Sequence, residues 1–287
     1  MGNIEILAAA AAVFALALVV GWGVVRTVSF RRGRRAPSVP TPSSWRELIA
    51  ERVPPTARLT PDEWNRLLDL TGQFIRDKRF EGVGGLEITE AMKVLIAAQA
   101  CLLILNLDAG CYPGVRVVLL YPGTFIPQPV ALDHRLYTSP VPEPVPLLGQ
   151  HVRGVVVLSW ESVETGAVAA SDGSNVVLHE FAHELDIENG DVDGVPLLEA
   201  PSSTREWARV LQRRFEELRV AAASEVPTVL NVYGATNRAE FFAVATETFF
   251  EKPEQLQAEY ADLYAELRGF YRQDPAAGRS APPPPAS

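Results

Sequence analysis

Asn175–Asp186 reads NVVLHEFAHELD, and inside it His179, Glu180 and His183 form the HExxH pattern. On a helix, residues i and i+4 share a face one turn apart, so both imidazoles can reach one ion. Glu180 is turned by ~100° from His179 about the axis. That places it close enough to meet a water beside the ion without having to bind the ion itself. Neutral imidazole nitrogens suit Zn2+, and an open position on one such ion lets bound water ionise near neutral pH. The chemistry expected is metal-assisted hydrolysis with Glu180 as general base. The flanking Val176, Val177, Leu178, Phe181, Ala182 and Leu185 make the helix an apolar, mostly buried one. A buried His–Glu–His set needs partners, and a metal supplies them.

A zinc site takes a third protein ligand. No histidine follows His183, and Asn189-Gly190 ends the helix before a third histidine of the longer metzincin pattern. His134 and His151 lie upstream in Pro-rich or strand-edge surroundings and read as surface or hydrogen-bonded residues. A carboxylate from a later helix is the usual alternative. The run Arg238–Phe250, RAEFFAVATETFF, holds Glu240 and Glu247, seven apart and so nearly on one face. Either can serve as ligand, with the other holding a histidine N–H. Asp186, three residues after His183, is placed to take the free N–H of that ring. Glu184 and Glu188 read as solvated.

The elements that must position these residues are mostly helical. Thr60-Pro61-Asp62-Glu63 is a helix start, with Thr as cap and Glu three residues on. Residues 89–105 (TEAMKVLIAAQACLLIL) are too long and alanine-rich for a strand and read as a buried helix. Residues 115–121 (VRVVLLY) and 155–160 (VVVLSW) are short β-branched runs bounded by Pro or Gly, hence strands. Further helices are expected at about 174–188, 203–223, 237–250 and 254–272. Helices outnumber strands without regular alternation, so the fold class expected is α+β with a small sheet.

HEFAHELD followed by YGATNRAEFFAVATETFF resembles the Mlc titration factor A family of zinc metallopeptidases, whose catalytic core is similar to that of anthrax lethal factor. AAQACLLILNL (97–107), YPG (121–123), VVLSW (156–160), ENGDVDGVP (188–196) and FYRQDP (270–275) carry the likeness further, over roughly 45–275. The resemblance implies a zincin-like domain. In that family a Tyr precedes the ligand Glu by seven residues, as Tyr233 precedes Glu240 here, which selects Glu240 over Glu247. It thus implies one gluzincin-like zinc ion on His179, His183 and Glu240, with Glu180 as general base and Tyr233 stabilising the oxyanion. The implied substrate is a peptide or protein. The family name also records binding to a repressor of sugar-uptake genes, so sequestration of a transcription regulator is a second implied function.

Composition bounds the rest. The 287 residues are 47% hydrophobic and 21% charged, enough to bury a real core. Cys101 and Cys111 are too few for a disulfide scaffold and read as reduced core thiols. Residues 1–35 hold Arg26, Arg31, Arg32, Arg34 and Arg35 against Glu5, a charge of +4; the whole chain carries −9, leaving −13 elsewhere. That acidic body argues against direct nucleic-acid binding. Residues 6–25 form an uncharged apolar run whose arginines follow rather than precede it, which predicts a transmembrane helix instead of a cleaved signal. The positive-inside bias then places a single-pass protein in the inner (cytoplasmic) membrane with its catalytic domain in the cytoplasm. The expected organisation is an anchor with basic neck (1–35), a Pro/Ser linker (36–44), a metallopeptidase domain (45–277) and a disordered Pro-rich tail (278–287).

Overall fold

Local signals set most of the helix starts. Thr60 caps its helix through a capping box: its Oγ1 accepts from Glu63 N at 3.3 Å, and Glu63 Oε2 accepts from Thr60 N at 2.9 Å. The Thr89 hydroxyl likewise accepts from Met92 N at 3.2 Å. The computed structural model describes residues 41–107, 110–123, 154–168, 173–188, 190, 192–198 and 201–277. All of these except Gly110 group into one compact unit.

The chain runs through α1 (Ser43–Arg52), a 310 turn (Pro54–Arg58), α2 (Pro61–Asp77), β1 (Arg79–Gly82) and α3 (Glu90–Leu103). It continues with β2 (Val117–Tyr121), β3 (Val155–Ser159), α4 (Trp160–Val168), α5 (Val176–Ile187) and α6 (Pro201–Ala223). A second 310 turn (Val232–Ala235) leads into α7 (Arg238–Glu251), α8 (Pro253–Glu259) and α9 (Ala261–Tyr271). The strands form one parallel sheet in the order β1-β2-β3, with Arg79 opposite Val117 and Val117 opposite Val155. Val118, Leu120, Val156 and Leu158 point to the core, alternating with half-buried neighbours as the pleat requires. A helix-dominated chain with one small sheet is the α+β class expected.

Two helices are buried almost throughout and anchor the site. Helix α3 is buried from Val94 to Leu103 and α7 from Phe241 to Glu251, as helices apolar on every face must be. Rings of Trp207, Phe242, Phe249, Phe250, Phe270 and Tyr271 interlock around α7 with centroids 4.7 to 6.1 Å apart. Each such side chain contributes about 1.5–3 kcal/mol by leaving water. The buried hydroxyls are satisfied as well: Thr246 Oγ1 lies 2.8 Å from the Tyr271 hydroxyl, and Thr248 Oγ1 donates to Val244 O at 2.8 Å.

Some elements differ from expectation. The helix expected over 254–272 breaks at Tyr260 (φ −132°, ψ 57°) into α8 and α9. No Pro or Gly marks that break; the Arg214 guanidinium stacks 5.2 Å from the Tyr260 ring and its Nε binds Asp262 at 2.9 Å, which fixes the start of α9. Helix α1 begins at Ser43, two residues inside the stretch read as linker. Strand β1 and helix α4 carry no periodic signal of their own.

The membrane expectation is corrected. Among the described residues no helix is long and apolar enough to cross a membrane. Helix α3 is apolar, but its 14 residues span only ~21 Å, against a hydrocarbon core of about 30 Å. Helix α6 has 23 residues but is rich in Arg and Glu. The finding overturns the placement in the inner membrane. Residues 6–25, where the anchor was read, lie outside the described residues, as do the basic neck and the tail 278–287.

Candidate metal centre

Both histidines ride on α5, whose other residues fix its orientation. Val177, Leu178, Phe181, Ala182 and Leu185 are buried, with the Phe181 ring 5.5 Å from Phe74 and 4.8 Å from Tyr112. Helix α5 packs against α3, α7 and β3. Its start is capped by Asn175, whose Oδ1 accepts from Val177 N and Leu178 N at 3.1 Å each. Helix α7 starts the same way, with Asn237 Oδ1 accepting from Glu240 N at 3.0 Å. Such caps are worth about 1 kcal/mol each. They also put His179 and Glu240 in the first turns of their helices, where the N-terminal end of the macrodipole favours the Glu240 carboxylate.

His179, His183 and Glu240 each offer one ligand atom, and these atoms lie within 4.8 Å of one another. His179 Nε2 is 2.9 Å from Glu240 Oε2 and 3.2 Å from His183 Nε2, and His183 Nε2 is 3.5 Å from the same oxygen. A single N–H on His179 cannot point at both neighbours. Three lone-pair donors converging on one point, two nitrogens and one oxygen, fit a divalent cation. The second ring nitrogen of His179 is held by Glu247, with Nδ1 2.7 Å from Oε1. A proton on Nδ1 leaves the Nε2 lone pair facing the centre.

The electrostatics describe what a metal must displace. Burial presses the His179 pKa down, but hydrogen bonds to Glu240 and Glu247 outweigh it and push the value up to about 10. Burial likewise raises Glu240, yet the two histidines bring it down to about 2. In the metal-free protein the charged ring therefore stabilises the fold fully below its ordinary value of 6.5 and loses that contribution as pH rises through 10. The Glu240 carboxylate contributes above its ordinary 4.5 and loses its share as pH falls through 2. Metal binding must expel the His179 proton. Apparent metal affinity is thus expected to rise about tenfold per pH unit from neutrality toward pH 10, a slope that chelator competition at pH 7 and 8 measures. A flat profile would contradict it.

Glu180 and Tyr233 complete the group. Glu180 is buried and lines the same cleft, of about 990 Å³, as His179, His183, Tyr233, Glu240 and Glu247. The Tyr233 ring lies 6.0 Å from that of His179 and is 44% exposed. Partial burial, then the nearby Glu240 and Glu180 charges, push its hydroxyl pKa up, so the phenol keeps its proton. The 310 turn holds this tyrosine through Asn231 Oδ1, which accepts Tyr233 N at 3.0 Å. Gly234 lets that turn approach closely, since a Cβ there would meet Leu218 at 3.1 Å and Val244 at 3.3 Å.

Asp186 is fully buried, and its Oδ2 accepts from Gly194 N at 2.9 Å, tying the end of α5 to the loop before α6. Gly194 has φ +78°, and a Cβ there would come within 2.5 Å of the Arg238 carbonyl at the start of α7. Glu188, read as solvated, is exposed at the end of α5; loss of hydration among its neighbours and then the Glu184 charge push its carboxyl up to about 7. His134 and His151 lie outside the described residues. The sequence reading missed Asn175, Gln99 and Glu251, which gather behind His179. Asn175 was findable as a cap before an apolar run; Gln99 stood out only as a lone polar residue in an apolar helix.

Two histidines a turn apart on one buried helix and a glutamate from another, opening on a cleft, are the donor set of a metallopeptidase. The chain belongs to the glucose-regulated metallo-peptidase M90 family, whose model matches residues 27–272. It is 33% identical over 261 residues to an uncharacterized protein of Synechocystis sp., covering 88% of this chain and 92% of that one. It is 32% identical over 250 residues to the Mlc titration factor A of Serratia proteamaculans, covering 84% and 91%. The Pectobacterium atrosepticum protein of that name is 32% identical over 246 residues, covering 84% and 90%. Membership in a metallopeptidase family implies a bound metal, and the three convergent donors supply a place for one.

Proposed function

We propose that this chain is a zinc-dependent peptidase that holds one zinc ion on His179, His183 and Glu240. The observation that carries the reading is the convergence of those donor atoms within 4.8 Å at a cleft that Glu180 and Tyr233 also line. Two imidazoles and one carboxylate suit zinc over harder cations, which take oxygen ligands. When bound there, zinc polarises the scissile carbonyl and makes water a nucleophile at neutral pH. Glu180 accepts a proton from the attacking water and passes it to the leaving amine. Tyr233 donates its hydroxyl proton in a hydrogen bond to the developing oxyanion. Glu247 keeps the His179 ring oriented through Nδ1. Asp186 ties the C-terminal end of α5 to the loop before α6 through Gly194. The unit that carries all of this is residues 45–277.

Cleavage of a mixed peptide library by the full chain, stopped by a chelator and restored by added zinc, is the expected result; cleavage indifferent to both would overturn the reading. Tyr233→Phe removes only the hydroxyl. It is expected to lower kcat about 100-fold with little change in KM, measured on the best library peptide. An unchanged kcat would remove the oxyanion role.

A second reading rests on the names of two relatives, which record titration of Mlc. Binding of a transcription repressor of that kind would leave the catalytic residues unused. Capture of the repressor by both wild type and Glu180→Gln supports it, and no capture by either contradicts it.

A further inference from the structure

Behind the metal-facing side of α5 lies a buried polar cluster that the hydrolytic roles leave unused. Asn175, Gln99 and Glu251 come from three segments: the residue before α5, the middle of α3 and the last turn of α7. All three are buried. The Asn175 side chain divides its atoms between two tasks. Its Oδ1 caps α5. Its Nδ2 donates to Gln99 Oε1 at 2.8 Å and to Glu251 Oε1 at 3.0 Å, so both amide hydrogens are taken. The backbone N–H of Asn175 has a third task, donating to Glu247 Oε2 at 2.5 Å. The other oxygen of Glu247 meets His179 Nδ1 at 2.7 Å. The carboxylate is therefore clamped at both ends, by the helix cap on one side and by the imidazole on the other.

We infer that Asn175 is a positioning residue for the metal-binding histidine, acting on His179 through Glu247, and that Gln99 and Glu251 lock it in place. This rests on the zinc reading of the site. A carboxylate holding only a histidine N–H can rotate about its last torsion and carry the ring with it. One fixed by a backbone N–H cannot, because that donor belongs to the rigid start of the same helix. The amide of Asn175 bonds Gln99 on α3 and Glu251 on α7, which fixes in place the residue whose N–H holds Glu247.

Asn175→Ser in the full chain keeps a side-chain oxygen at the cap and the backbone N–H, while removing the amide that ties the residue to Gln99 and Glu251. The zinc dissociation constant, read by competition with a chromophoric chelator, is expected to rise about tenfold. The visible bands of the Co2+-substituted protein are expected to shift, a change that a merely structural cap would not produce. In a Glu247→Gln background the same substitution is expected to add little, since the route to His179 is already cut. Gln99→Met removes one acceptor without touching the cap and is expected to act in the same direction by about threefold, which carries the test should Asn175→Ser fail to fold. Wild-type zinc affinity and an unshifted cobalt spectrum in the variants would overturn the inference, as would a full tenfold effect persisting in the Glu247→Gln background. A wild-type protein that binds neither zinc nor cobalt would overturn the zinc reading itself.

Discussion

Glu180→Gln is expected to abolish peptide hydrolysis while the metal stays bound. The amide has the shape of the carboxylate but cannot take a proton from water. General acid–base catalysis by one side chain contributes about 10²–10⁴, so kcat is expected to fall by about 100- to 10,000-fold, or ~3–5 kcal/mol in the barrier. The three convergent donor atoms belong to other residues, so metal content is expected to be unchanged. The substitution also removes a negative charge that raises the Tyr233 pKa, which is expected to drop slightly. Turnover on a library-derived peptide beside metal analysis of the same preparation separates the two effects. A variant retaining a third or more of wild-type kcat would remove Glu180 from the role of base.

Glu240→Ala and Glu247→Ala are expected to differ in kind. Removing Glu240 deletes one of three ligand atoms and leaves two imidazoles on a surface open to the cleft. Metal affinity is expected to fall by well over about 100-fold, beyond the 10–100-fold typical of a group that only supports a ligand. Removing Glu247 frees the Nδ1 side of His179 without touching the donor set, and is expected to fall inside that range. The ranking settles which of two glutamates seven residues apart binds the ion. Zinc competition measures it directly, and a larger loss in Glu247→Ala would reverse the assignment.

That ambiguity shows where the sequence ran out. Periodicity puts Glu240 and Glu247 on one face of α7, but it cannot say which lies level with which ring nitrogen of His179. That depends on how far α7 has slid along α5 where the two helices pack together. The resemblance to a known family supplied the choice, and the distances place Glu240 at Nε2 and Glu247 at Nδ1. The HExxH helix was legible because apolar flanks and chemistry pointed the same way. The capping box at Thr60 was legible from its Thr-x-x-Glu spacing. The break at Tyr260 was not, since its cause is an arginine on α6, nearly fifty residues earlier in the chain. Strand β1 escaped notice because RFEG is short and charged and becomes a strand by pairing with β2. Asp186 reads as a partner for the free N–H of the His183 ring, and only the folded loop brings Gly194 N to its Oδ2.

Elemental analysis of the full chain, dialysed against zinc and then against metal-free buffer, tests the central claim most directly. The account predicts one zinc per chain in the wild type and almost none in His183→Ala. A wild-type protein without zinc, or a variant that holds as much of it, would contradict the account.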